Sequence, residues 1–230
     1  MAVKNLFLKL KNDGAYRATV AFVISFAVSV IYALYNGIYG ILFYSAWFGA
    51  LALYYIILSV LRGGVVFASR RVLKNTALTQ EQRQIKAIKM HLVSGVMIML
   101  LIIALLSAVT LMVIQGEGFK HTGLLIFVAA IYTFYKIIYS IINFVRNKRT
   151  EDFVLRTMRN IGLADALVSV LALQTAMLSA FNTGADVRWA NAATGGAVCL
   201  LIFALGLFMI ITSALRLKKT KENEVADGEE

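Results

Sequence analysis

The stretch "LVSGVMIMLLIIALLSAVTLMVI", Leu92–Ile114, holds no charged residue. A helix rises about 1.5 Å per residue and the hydrocarbon core of a bilayer is about 30 Å thick, so about 20 such residues cross it. Five further apolar runs accompany it: Val20–Tyr35, Tyr39–Leu61, Leu124–Val145, Leu163–Phe181 and Ala193–Leu215. The first is the shortest and is lengthened by its flanks. The bias extends to the whole chain. Of its 230 residues, 60% are hydrophobic and the mean hydropathy is +0.77, against about 45–50% apolar in soluble domains. The expected class is all-α: a polytopic membrane protein of six transmembrane helices arranged as three sequential hairpins, residues 18–62, 91–146 and 162–216. Six spans leave no room for a soluble domain, so residues 1–216 are read as one transmembrane domain. Residues 217–230 are acidic and poor in large apolar side chains, which reads as a disordered polar tail.

The chain has no proline, and no span carries an obvious central break, so continuous helices are expected. Cys199 lies inside the last span and reads as a small packing residue. The basic opening "MAVKNLFLKLKNDGAYR" precedes an apolar run with no clear small-residue cleavage site, so the first span reads as a retained helix.

Charge sets the expected topology. Of the 23 Lys and Arg, twenty fall before the first span, in the two even-numbered connections and after the last span. Lys120 and Arg188 fall on the other side, and Lys136 lies inside a span. The connection after the second span alone holds Arg62, Arg70, Arg71, Lys74, Arg83, Lys86 and Lys89, whereas the first turn, "YNGIYG", holds no charge. The positive-inside rule then places both termini in the cytoplasm. Basic loops at a membrane surface attract anionic headgroups. That accounts for the net charge of +11 without nucleic acid, for which no recognition motif is present. Within the long basic connection, "TQEQ" (Thr79–Gln82) reads as a capping box. It would start a helix that runs directly into the third span, so the expected picture is helices extending beyond the bilayer, joined by a turn near "KNTALT".

The returning helices of the three hairpins share a frame. "YYIILSVLR" (54–62), "YKIIYSIIN" (135–143) and "FMIITSALR" (208–216) each read aromatic-x-Ile-Ile-x-Ser-x-aliphatic-polar, which suggests a triplicated hairpin. Small residues spaced by seven, Ser59–Ala52–Ser45 and Ser213–Gly206–Cys199, form seams that let helices approach. On the first helix Ser25, Ser29, Tyr32 and Asn36 share one face, and on the fifth Asp165, Ser169, Ala172, Ala176 and Ser179 do. Such stripes serve helix interfaces more often than pores.

Little in the chain can carry bond-making chemistry. His91 and His121 lie at opposite ends of neighbouring spans and cannot share a metal. No Cys/His cluster, HExxH motif, phosphate-binding glycine loop or intramembrane pair of carboxylates is present. No enzyme, metal or cofactor is expected. Two intramembrane charges remain, Lys136 and Asp165. Tyr132, Lys136, Tyr139, Ser140 and Asn143 share one face of the fourth helix, and Asp165 with Ser169 begins the fifth. Lys136 and Asp165 are placed to meet, each offsetting the other's desolvation. These seven residues form the candidate polar network. It reads either as a lock between hairpins or as a solute or ion contact in a cytoplasm-facing cavity.

"LADALVSVLALQTAMLSAF" (163–181), "ATGGAVCLLIFALGLFMI" (193–210), "NGIYGILFYSAWFGALALYYIILSVLR" (36–62) and "IYTFYKIIYSIIN" (131–143) resemble a widespread group of uncharacterised six-span membrane proteins of Firmicutes. The resemblance implies a bacterial cell membrane and supplies no activity. The residues themselves leave two non-enzymatic readings. One is a small transporter or channel-like bundle. The other is an accessory or scaffold subunit that holds a membrane-protein partner or anionic lipid through its basic cytoplasmic loops.

Overall fold

The computed structural model describes residues 14–44, 46–74, 79–115, 131, 133–135, 137–138, 140–142, 152–181 and 188–227. The fold is all-α. Its helices are α1 (Gly14–Leu42), α2 (Ala46–Lys74), α3 (Gln80–Gln115), α4 (Thr133–Ile142), α5 (Phe153–Phe181) and α6 (Arg188–Asp227). Four contain segments long and apolar enough to cross a membrane: Thr19–Leu42, Phe48–Val72, Gln80–Ile114 and Arg188–Thr220.

Local chemistry starts these helices where the sequence indicates. Thr79 caps α3: its Oγ1 accepts from the Gln82 amide at 3.3 Å, and its carbonyl accepts from the Arg83 amide at 3.1 Å. The first bond satisfies a donor that a helix start leaves open, and the second is the first intrahelical bond. Asp152 does the same for α5, with Oδ1 2.8 Å from the Val154 amide. As expected, α3 runs from this cap straight into its apolar stretch.

Three boundaries differ from the expectation. "YNGIYG" is not a turn: α1 continues through it to Leu42, and the chain reverses at Phe43 and Tyr44, the latter in the left-handed region at φ 48°. Asn36 is buried, and its side-chain amide donates to the Tyr32 carbonyl of the same helix at 2.8 Å, so its polarity is absorbed within α1. The second boundary is the end of the second apolar span. α2 runs to Lys74, at the start of "KNTALT", as expected, but its span candidate continues through Arg62 to Val72 rather than ending at Leu61, because "GGVVFAS" continues the apolar pattern beyond the arginine. The third is the tail. Residues 217–227 are helical rather than disordered. "RLKKTKENEVA" lacks helix breakers, Lys218 and Glu222 are 3.8 Å apart at the favourable i,i+4 spacing, and Leu217 packs against the small cluster of Ala87, Ile88 and Phe153.

The most extensive helix pairs are α1 with α2 and α3 with α6. α2 and α3 join the two pairs directly, and α5, which touches α1, α2, α3 and α6, bridges them as well. Leu58, Ile98, Leu101, Ile161, Ile202 and Met209 form the centre of one continuous core.

The α3–α6 crossing depends on two glycines. A Cβ on Gly95 would lie 3.1 Å from the Met209 Cβ and 3.2 Å from the Gly206 carbonyl oxygen; one on Gly206 would lie 3.2 Å from Ile98 Cγ2. Further along, a Cβ on Gly195 would lie 2.5 Å from Val109 Cγ1. Contacts pairing 95 with 209 and 109 with 195 make the two helices antiparallel. The expected seam of Ser213, Gly206 and Cys199 is buried on this face of α6.

Val109 is β-branched and cannot swing away cheaply. Gly195→Ala should therefore destabilise the protein by about 1–3 kcal/mol, the usual range for overpacking. Gly196→Ala, where an added Cβ meets nothing within 4 Å, should leave it unchanged or slightly stabilised. Thermal unfolding of both variants in one detergent checks the contrast.

Candidate functional site

The most demanding group in the core is Arg62. It lies on the face of α2 that also carries Tyr54, Leu58, Val65 and Ser69, and its side chain is only 3% exposed. A guanidinium keeps its proton at any pH a cell presents. The charge must therefore be met by neighbours.

Three helices meet it. From α5, Asp165 Oδ2 accepts from Arg62 Nη2 at 2.5 Å, and the carboxylate is as buried as the arginine. From α1, the Ser25 carbonyl accepts from Nη1 at 2.7 Å and the Ser29 hydroxyl oxygen accepts from it at 2.6 Å. Ser29 uses its own hydrogen on the Ser25 carbonyl at 2.9 Å, which leaves its lone pairs for the arginine. Phe22, one turn before Ser25, places its ring centroid 5.9 Å from the guanidinium carbon, within cation–π range.

Two polar atoms at this node lack a partner among the described residues: Arg62 Nε and the hydroxyl of Tyr54. Tyr54 is 1% exposed, two turns from Arg62 on the same face, and feels the charges of both Asp165 and Arg62.

Asp165 is thus paired with Arg62, where the sequence reading assigned it to Lys136. The reason is the span boundary: Arg62 counts as a cytoplasmic charge only if the apolar span ends at Leu61, whereas it continues to Val72. Lys136, Tyr132, Tyr139 and Asn143 lie outside the described residues. Ser140 is buried on α4, and its hydroxyl donates to the Gly162 carbonyl of α5 at 3.1 Å, close to Asp165. Ser169 donates back to the Asp165 carbonyl at 2.8 Å. The structure therefore brings together Ser140, Asp165 and Ser169 from the expected set and adds Arg62, Ser25, Ser29 and Tyr54. A signal for the additions is present in the sequence. The Ser25–Ser29–Tyr32–Asn36 stripe faces α2, with Tyr32 stacked on Tyr55 at 5.2 Å between centroids.

No family model, curated protein or solved structure matches the chain.

Removing one member of the pair strands the other. Asp165→Leu should cost about 3–5 kcal/mol, the range for breaking a buried ion pair. Arg62→Leu should cost less, because a stranded carboxyl can take a proton whereas a stranded guanidinium cannot give one up. The Arg62→Leu, Asp165→Leu double variant should recover most of the loss. Melting temperatures of the four proteins in detergent decide it, and additive single effects would contradict the pairing.

Proposed function

We propose that this chain is a non-enzymatic, multi-pass integral membrane protein that works as a small transporter or channel-like bundle. The Arg62–Asp165 node is the charged site at which it engages a solute or ion. The observation that carries this reading is the buried pair itself. An ion pair sealed in an apolar bundle is seldom better for stability than well-packed apolar side chains of similar volume. Charges within membrane-spanning helices mark functional sites by default. The unpartnered Arg62 Nε and Tyr54 hydroxyl supply donors beyond those the pair consumes.

The orientation follows from charge. In a bacterial cell membrane, six spans with both termini in the cytoplasm put the basic ends of α2, α3 and α6 against the anionic inner leaflet. Exposed Arg70, Arg71, Lys86, Lys89, Arg216, Lys218 and Lys219 lie at those ends. The same basic surface favours a second reading, an accessory or scaffold subunit that holds anionic lipid or a membrane-protein partner there.

Water access separates the two readings. Ser29→Cys, in a Cys199→Ala background, places a thiol beside the Arg62 guanidinium. A site that opens to solute should react with a membrane-impermeant, sulfonate-bearing methanethiosulfonate applied to inside-out or right-side-out vesicles. Reaction only with an apolar, membrane-permeant maleimide would reject transport and favour the scaffold.

A further inference from the structure

A second buried polar cluster lies where α3, α5 and α6 meet, and the Arg62–Asp165 node does not use it. His91 (α3), Thr157 and Asn160 (α5) and Ser213 (α6) are each at most 1% exposed. His91 Nδ1 lies 2.7 Å from Thr157 Oγ1. The helix register brings in the others. Gly95 faces Met209 in the antiparallel α3–α6 pair, so one turn back along α3 and one turn on along α6 sets His91 opposite Ser213. Asn160 is three residues beyond Thr157, on the same face of α5. His91 Nε2, Asn160 Nδ2 and Ser213 Oγ all lack a hydrogen-bond partner among the described residues.

The hydrogen bonds assign the histidine tautomer. Thr157 Oγ1 is 2.7 Å from the Phe153 carbonyl oxygen, which can only accept, so the threonine's one hydrogen goes there. The 2.7 Å contact with His91 then requires Nδ1 to carry the hydrogen. Nε2, across the ring, is left with a bare lone pair in the neutral imidazole. The edge-on ring of Phe153, centroid 5.8 Å away, packs against the imidazole.

The register thus places three orphan groups at one junction: an acceptor at His91 Nε2, a donor at Asn160 Nδ2, and a hydroxyl at Ser213 that can do either. Arg156 and Arg159 make the local potential at His91 positive, which disfavours a cation. The Nε2 lone pair disfavours an anion. A neutral guest that both donates and accepts, and is small enough for a close-packed junction, satisfies all three. We infer that this junction is a binding site for a structural water that donates to His91 Nε2, accepts from Asn160 Nδ2 and bonds Ser213 Oγ. Buried waters make about three hydrogen bonds to groups that would otherwise be unsatisfied. This water joins three helices through one molecule.

Solid-state NMR of the full chain in lipid bilayers, with 15N-histidine labelling, tests it. The chain has two histidines, so His121→Gln leaves His91 as the single imidazole. If that variant does not assemble, subtracting the spectrum of His91→Gln from that of the unsubstituted protein isolates the same signal. The expected spectrum is a neutral imidazole protonated at Nδ1, with polarisation transfer from water to the ring. Ser213→Val should fill the site, so the water transfer is lost while the tautomer stays. A ring protonated at Nε2 overturns the assignment. Absence of water transfer in the unsubstituted site, or transfer that survives Ser213→Val undiminished, overturns the bound water.

Discussion

A guanidinium sealed among apolar side chains governs the arrangement of half this bundle. Arg62 cannot shed its charge, so the fold must bring a carboxylate and further acceptors to it. Asp165 supplies the charge from α5, and Ser25 and Ser29 supply oxygens from α1. That requirement sets how α1, α2 and α5 sit against one another. Apolar packing alone tolerates sliding of one helix along another, whereas a guanidinium with directed bonds to two other helices does not.

The other half is held by close approach. α3 and α6 cross where Gly95 and Gly206 let backbone meet side chain, and Gly195 accepts the branched side chain of Val109. Between lipid-facing helices there is little hydrophobic drive to associate, so contact must come from tight packing and interhelical hydrogen bonds. This chain uses the first device for α3 with α6 and the second for α1 and α2 with α5. α5 belongs to both halves. It meets His91 through Thr157 and Arg62 through Asp165, and its Thr175 hydroxyl lies 3.4 Å from Met112 Sδ of α3. Buried polar groups are thus spread along one helix that touches the other five. A displacement of α5 would disturb both clusters together.

Much of the fold was legible from local chemistry. Apolar length marked the long helices, Thr79 marked the start of α3, and the serine and asparagine stripe marked the face of α1 that meets α2. Local signals failed where a polar residue sat inside a continuing helix. Asn36 with its neighbouring glycines resembled a turn, yet its amide is satisfied one turn back by Tyr32. Arg62 resembled the end of a span, yet the apolar span continues through it to Val72. The acidic tail resembled disorder by composition, although its residues are good helix formers and Leu217 gives the helix something to pack against.

Asp165 was recognisable from sequence because a carboxylate within an apolar run is conspicuous wherever it points. Its partner was not, because an arginine at the edge of an apolar run has the same sequence signature whether it reaches water or a buried acid. The roles of His91 and Ser213 were hidden for the same reason: they lie more than a hundred residues apart, and only the α3–α6 register sets them opposite each other. The sequence by itself determined that this chain forms long apolar helices with basic ends, since hydrophobic length and charge distribution are properties of contiguous residues. Which polar groups are buried, and with whom, was decided only by tertiary structure, since burial and pairing depend on neighbours that the chain supplies from distant segments.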